Sequence, residues 1–81
     1  MMDEPIPGFP RLTTNPLKLG GKPCVRGLRV SVKDVLWALA NYETSEELLA
    51  DYPSLTEDDL VEVLNYAAMM VGEYEETRSY A

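Results

Sequence analysis

From Ser31 onward the apolar positions recur at helical spacing, in three runs each opened by a hydroxyl residue. Val32, Val35, Leu36, Leu39 and Ala40 share one face of a first helix. The Ser31 hydroxyl is placed to cap its first turn, with Asp34 three residues on as an acid near the positive helix end. This helix should stop near Asn41, and Trp37 falls off its apolar stripe. Thr44 opens a second run, and Thr44-Ser-Glu-Glu47 has the form of a full capping box. Leu48, Leu49 and Tyr52 give it a short apolar face, and Pro53 ends it. Thr56 opens the third and longest helix, with Glu57, Asp58 and Asp59 read as a solvent-facing first turn. Leu60, Val63, Leu64, Ala67, Ala68 and Val71 then form its predicted stripe. The pattern fails near Glu75, so residues 76–81 read as a loose tail.

Upstream the pattern is different. Residues 1–10 hold Pro5, Pro7 and Pro10, each of which fixes φ and lacks an N–H donor. They read as an extended arm. Arg11 to Thr14 suits a short strand, and Asn15-Pro16 and Gly20-Gly21 are breaks. Val25 and Val30 flank Arg26-Gly27, which predicts two very short strands about a turn, with Gly27 supplying a positive φ. The resulting expectation is a mainly α protein. It is a single three-helix, helix-turn-helix domain over residues 11–75, of winged-helix-like layout, with a short N-terminal β segment. The link from Tyr52 to Thr56 has the length of a helix-turn-helix turn, and Leu55 should tuck between the two helices.

Charge changes the picture more than composition does. The 81 residues carry a net charge of -7. Residues 1–33 hold six cations (Arg11, Lys18, Lys22, Arg26, Arg29, Lys33) against Asp3 and Glu4, whereas residues 34–81 hold twelve carboxylates against Arg78 alone. An acidic helical body should repel nucleic acid and attract a basic protein surface. The third helix, which would read the major groove in a helix-turn-helix protein, has carboxylates where Lys or Arg would be needed. The basic front segment supplies the candidates for DNA contact instead: Lys22, Arg26, Arg29 and Lys33. Solvation, or pairing with acids of the body, is the plainer role for the same four.

Little catalytic chemistry is on offer. There is no histidine, so the commonest general base and transition-metal ligand is missing. Ser31, Ser45 and Thr56 have no base beside them and serve better as caps. The acids Glu57, Asp58 and Asp59 suit a solvated helix start better than a divalent ion. Gly20-Gly21-Lys22 is followed by Pro23, which spoils a phosphate cradle. Neither an enzymatic activity, a metal nor a cofactor is expected. Cys24, the lone cysteine, reads as a small packed residue in a reducing, cytoplasmic setting. No signal peptide or membrane span is read in the chain. Aromatic residues favour interfaces, so Trp37, Tyr66 and Tyr74 are the candidate protein-contact residues. A small core and an arm from Asp3 to Thr14 able to add a strand to a neighbour suggest a homodimer.

The run Gly20-Gly-Lys-Pro-Cys-Val-Arg-Gly-Leu-Arg-Val-Ser-Val-Lys-Asp-Val-Leu36 resembles the signature of the bacterial "domain of unknown function 433" family. So do Ser45-Glu-Glu-Leu-Leu-Ala-Asp-Tyr-Pro-Ser-Leu-Thr-Glu-Asp-Asp-Leu60 and Val63-Leu-Asn-Tyr-Ala-Ala68. Leu28 stands where the family has Thr, and Cys24 where it has an aliphatic residue. The resemblance spans roughly residues 11–70. It implies a helix-turn-helix, homeodomain-like fold, and an antitoxin acting beside a PIN-like ribonuclease toxin; regulation of its own operator through DNA is the associated expectation, and a stand-alone DNA-binding regulator is the alternative.

Overall fold

A computed structural model of the chain describes residues 3–78. Among these residues the order is β1 (Glu4–Ile6), β2 (Phe9–Thr14), a 3-10 turn at Leu19–Gly21, β3 (Cys24–Val25), α1 (Val32–Asn41), α2 (Ser45–Asp51) and α3 (Glu57–Arg78). The strands form one antiparallel sheet in the order β1-β2-β3. The fold is therefore α+β, which corrects the expected mainly α helix-turn-helix domain.

The correction comes from the proline-rich arm, which is a hairpin and not a free extension. Pro7 and Gly8 form its two-residue turn between the paired Ile6 and Phe9, with Gly8 at φ +85°. Proline at the first central position and a positive φ at the second is the type II pattern. Pro5 lies on the edge strand β1. Pro10 sits where the register slips, because residues 10–12 of β2 have no partner in β1. Strand β3 reaches only Leu12 and Thr13. Pro5 and Pro10 thus occupy an edge and a bulge position, and Pro7 a turn, where the missing N–H leaves no ladder bond unmade. The arm thus pairs within the chain, with β1 as an edge strand of the sheet.

Sheet and helices share one core. Leu12 and Val25 from the sheet are fully buried with Val35 of α1, Leu48 of α2 and Val63 of α3. Leu55, in the link between α2 and α3, is buried in the same cluster. Helix α3 packs mainly on β2 and α1, and α2 packs on α1. Phe9 of the hairpin meets Tyr66 of α3 edge-on, with ring centroids 5.2 Å apart and planes at 85°. A helix pair standing alone would leave the sheet-facing side of α3 uncovered.

The caps form as the hydroxyl residues suggest. The Asp34 N–H donates to Ser31 Oγ at 3.1 Å, and the Glu47 N–H donates to Thr44 Oγ1 at 3.1 Å. The reciprocal box forms at α3 instead. The Asp59 N–H donates to Thr56 Oγ1 at 3.3 Å, and the Thr56 N–H donates to Asp59 Oδ2 at 2.9 Å. Helix α3 continues to Arg78, past the expected end near Glu75. Of the predicted tail, residues 79–81 lie outside the described residues, as do residues 1 and 2 of the arm.

The second hairpin is closed by Val25-Arg26-Gly27-Leu28, with the Leu28 N–H donating to Val25 O at 2.7 Å. Arg26 at φ +46° and Gly27 at φ +79° have the two positive angles of a type I′ turn. A Cβ on Gly27 would lie 2.8 Å from Asp3 Oδ2. Asp3 is held in place by Lys18 Nζ at 3.0 Å and by the Asn15 side-chain amide at 3.2 Å. Gly27→Ala should therefore cost about 2–3 kcal/mol, combining left-handed strain with a displaced ion pair. Gly8→Ala, with open space around it, should cost only the strain, about 1–2 kcal/mol. Urea denaturation of both variants checks this, and equal costs would show that the Asp3 contact contributes nothing.

Candidate protein-interaction site

The strongest polar constellation is centred on Asp59 at the start of α3, a residue with no solvent exposure. Arg26, at the hairpin tip, grips it with two parallel bonds: Nε to Oδ1 at 2.9 Å and Nη2 to Oδ2 at 2.8 Å. The same Nη2 donates to Ser54 O at 2.6 Å. Arg11 of β2 approaches from the other side, with Nη1 3.2 Å from Asp59 Oδ1 and Nη2 3.4 Å from Asp58 Oδ2. The Arg11 backbone N–H donates to the Glu62 carboxylate. Burial by itself would raise the pKa of Asp59. The bonds from Arg26, from the Thr56 N–H and from Arg11 outweigh it and hold the carboxyl at about 2, below the ordinary 3.8.

This assembly ties three segments together: the β2 strand, the turn after β3 and the first turn of α3. It also changes the reading of the acid triplet. Asp59 is not a solvated helix-start residue but a buried acceptor of two arginines. Among the described residues no group of three His, Cys, Asp or Glu side chains could hold a metal ion.

The four candidate DNA-contact residues separate into two kinds. Arg26 is committed to Asp59 and Ser54. Lys22, Arg29 and Lys33 are exposed, and none has an ion-pair partner among the described residues. Lys22 directly follows the 3-10 turn, Arg29 follows the turn after β3, and Lys33 lies in the first turn of α1. Lys18, of the same basic segment, is buried against Asp3.

The candidate protein-contact residues also divide. Tyr66 packs on Phe9 and on the core. Trp37 is 64% exposed and Tyr74 61% exposed. Trp37 lines an open groove of about 460 Å³ with Arg29, Val30, Asp34, Ala38, Asn41, Tyr42 and Tyr52. Tyr42 is fixed there by donating to Asp51 Oδ2 at 2.6 Å, which pushes its pKa up to about 12. Sequence reasoning missed Asn41, Tyr42 and Tyr52 as groove residues, since their convergence depends on how the chain turns after α1. Cys24 is buried, with its thiol donating to Lys22 O at 3.3 Å, and burial raises its pKa.

The predicted stripe of α3 is only partly buried. Leu60 and Val63 are in the core, while Leu64 and Val71 are about half exposed, at 48% and 54%. The buried face is turned toward Asp59 and Tyr66, so part of the apolar stripe stands outside. The Asp59 anchor accounts for Leu64, whereas Val71 lies beyond the last buried residue of the helix.

A family model matches residues 12–67. The chain belongs to the family described as "Protein of unknown function (DUF433)". The matched stretch of this DUF433 chain runs from β2 to the middle of α3, and the distal part of α3 lies beyond it. No curated protein and no solved structure matches the chain. Among the described residues, no helix is long and apolar enough to cross a membrane.

The depressed pKa of Asp59 gives a signed expectation. Its contribution to stability is fully present above the ordinary value of 3.8 and is lost as pH falls toward about 2. Asp59→Ala, which leaves two arginines facing an apolar gap, should cost about 3 kcal/mol at neutral pH. That figure is the low end for a broken buried pair, since both arginines keep partial solvent contact. Chemical denaturation at pH 7 and pH 2.5 tests both. The gap between wild type and variant should narrow at the lower pH, and a gap of the same size at both pH values would contradict the anchor.

Proposed function

We propose that this chain is a non-catalytic binding protein that neutralises a nuclease-like toxin by covering a basic surface on it. The observation that carries this reading is an acidic surface bearing apolar groups that the chain's own core does not cover: Trp37, Leu64, Val71 and Tyr74. Residues that bind RNA on a nuclease are basic, and an acidic cover is complementary to them. Family membership supports the reading through the antitoxin role that the resemblance implies. The lack of histidine and the use of Ser31, Thr44 and Thr56 as helix caps support a role without catalysis.

Co-expression with the product of the neighbouring gene tests it. A complex that co-purifies, with ribonuclease activity suppressed, is the expected result; an active nuclease that does not associate would end the reading.

A second reading rests on Lys22, Arg29 and Lys33, exposed cations without internal partners. They suit phosphate contact, with the chain acting as a DNA-binding regulator, alone or as part of the same toxin-neutralising system. Duplex DNA should then be shifted at about 50 mM salt and released steeply as salt rises. Unchanged binding in Lys22→Ala/Lys33→Ala would exclude these residues.

A further inference from the structure

We propose that the groove beside Trp37 binds a guanine nucleotide, with the indole stacked on the base, Asp34 on its N–H edge and Arg29 on its phosphate. Such a site stands whether or not the chain neutralises a toxin.

The groove, at about 460 Å³, has the size of a small-ligand site, about 300–1,000 Å³. Part of its lining is committed to the fold. Tyr42 and Tyr52 meet edge-on with ring centroids 6.4 Å apart, and Tyr42 is tied to Asp51. The Asn41 side-chain amide donates to Trp37 O at 2.7 Å. Three lining groups are left over. The Trp37 ring stands mostly in solvent. Arg29 and Asp34 are exposed, and among the described residues neither side chain makes a hydrogen bond or an ion pair. They bring opposite charges to one groove yet do not pair with each other. Asp34 and Trp37 are three residues apart on α1 and so share a face of that helix.

A free carboxylate and a free guanidinium beside one exposed aromatic ring restrict the occupant. An apolar ligand would cover both charges without giving either a partner. A basic peptide satisfies Asp34 but meets Arg29 and, one turn before Trp37, the exposed Lys33. An acidic peptide meets Asp34 with the wrong sign. A flat ring with N–H donors on one edge and an anion at its far end answers all three groups, and that is a nucleotide. Any base stacks on an aromatic side chain, so the carboxylate makes the choice among bases. Guanine carries two adjacent N–H donors on its pairing edge, which fit the two acceptor oxygens of Asp34. Adenine and cytosine set one amine beside an acceptor nitrogen, and that nitrogen repels a carboxylate. The phosphate falls to Arg29, whose planar fork suits its oxygens.

Trp37 is the sole tryptophan, so its indole N–H gives a single signal in a nitrogen–proton correlation spectrum of the full chain. Guanosine monophosphate should move that signal and approach saturation by about 1 mM. Adenosine monophosphate should bind about tenfold more weakly, the discrimination of one bidentate contact. Arg29→Ala should weaken the guanine nucleotide about tenfold, as loss of a charged hydrogen bond does, and should leave unphosphorylated guanosine unaffected. Asp34→Asn should abolish the preference for guanine, since an amide offers one donor and one acceptor and suits adenine. Both substituted residues are exposed, and circular dichroism verifies that the variants fold. A short single-stranded oligonucleotide containing guanine separates two sources of the ligand. Binding tighter than the mononucleotide's, and weakened by Lys33→Ala, assigns the site to an unpaired guanine in a strand; equal binding assigns it to the free nucleotide. An unmoved Trp37 signal at about 1 mM guanosine monophosphate, equal affinity for the adenine nucleotide, or binding that Arg29→Ala and Asp34→Asn leave intact overturns the proposal. So does a lysine-rich peptide that moves the Trp37 signal where the nucleotide does not, since a basic protein would then be the occupant.

Discussion

The buried carboxylate of Asp59 is the point on which the arrangement of this domain turns. A charge without solvent contact is tolerated only when its lone pairs are satisfied, and here a forked Arg26, an approaching Arg11 and the Thr56 N–H satisfy them. Ion pairs of this kind are weak general arguments for stability, because desolvation offsets much of the attraction. Their geometry is a stronger argument. A forked guanidinium has few acceptable orientations, so the hairpin tip can meet the start of α3 in few ways. Apolar side chains in the same place would tolerate sliding. The contact also explains why a non-glycine residue is held at a positive φ at position 26: the strained turn aims the guanidinium at the helix.

The anchor has a second effect, on the helix itself. Asp59 and Tyr66 take positions on the buried side of α3, which leaves Leu64, on the opposite flank of Val63, half exposed. Val71 is exposed for a different reason: it lies beyond Val63, the last fully buried residue of the helix.

Much of this was readable from sequence. The three helices, their hydroxyl caps, the turn at Arg26-Gly27 and the exposed Trp37 all follow from local patterns, which depend on neighbours within four residues. What could not be read depends on contacts between segments far apart. Proline content suggested a free arm, because the rule against proline in strands does not reveal that edges and a register slip will coincide with Pro5 and Pro10. Asp59 looked like a solvated acid because its partners are 33 and 48 residues away. One local signal did point to it: Thr56-x-x-Asp59 has the same box spacing as Thr44-x-x-Glu47, and a boxed acid is oriented back toward the segment that precedes its helix. The groove beside Trp37 had no local signal, since Arg29, Asn41, Tyr42 and Tyr52 converge only through the tertiary fold.

The ion pairs also revise what the charge asymmetry means. Six cations in the front third suggested a basic face opposed to an acidic body. Arg11 and Arg26 are turned inward onto Asp59, and Lys18 onto Asp3. Only Lys22, Arg29 and Lys33 remain to face a partner. Three carboxylates, Asp3 of the front segment itself and Asp58 and Asp59 of the helical body, are used in the same pairs. Most of the rest lie on α2 and along α3. The charge asymmetry between the sequence halves is thus partly consumed inside the fold, and Lys22, Arg29 and Lys33 are the exposed remainder of the basic front. Phosphate binding gains with every additional cation presented, and three are few.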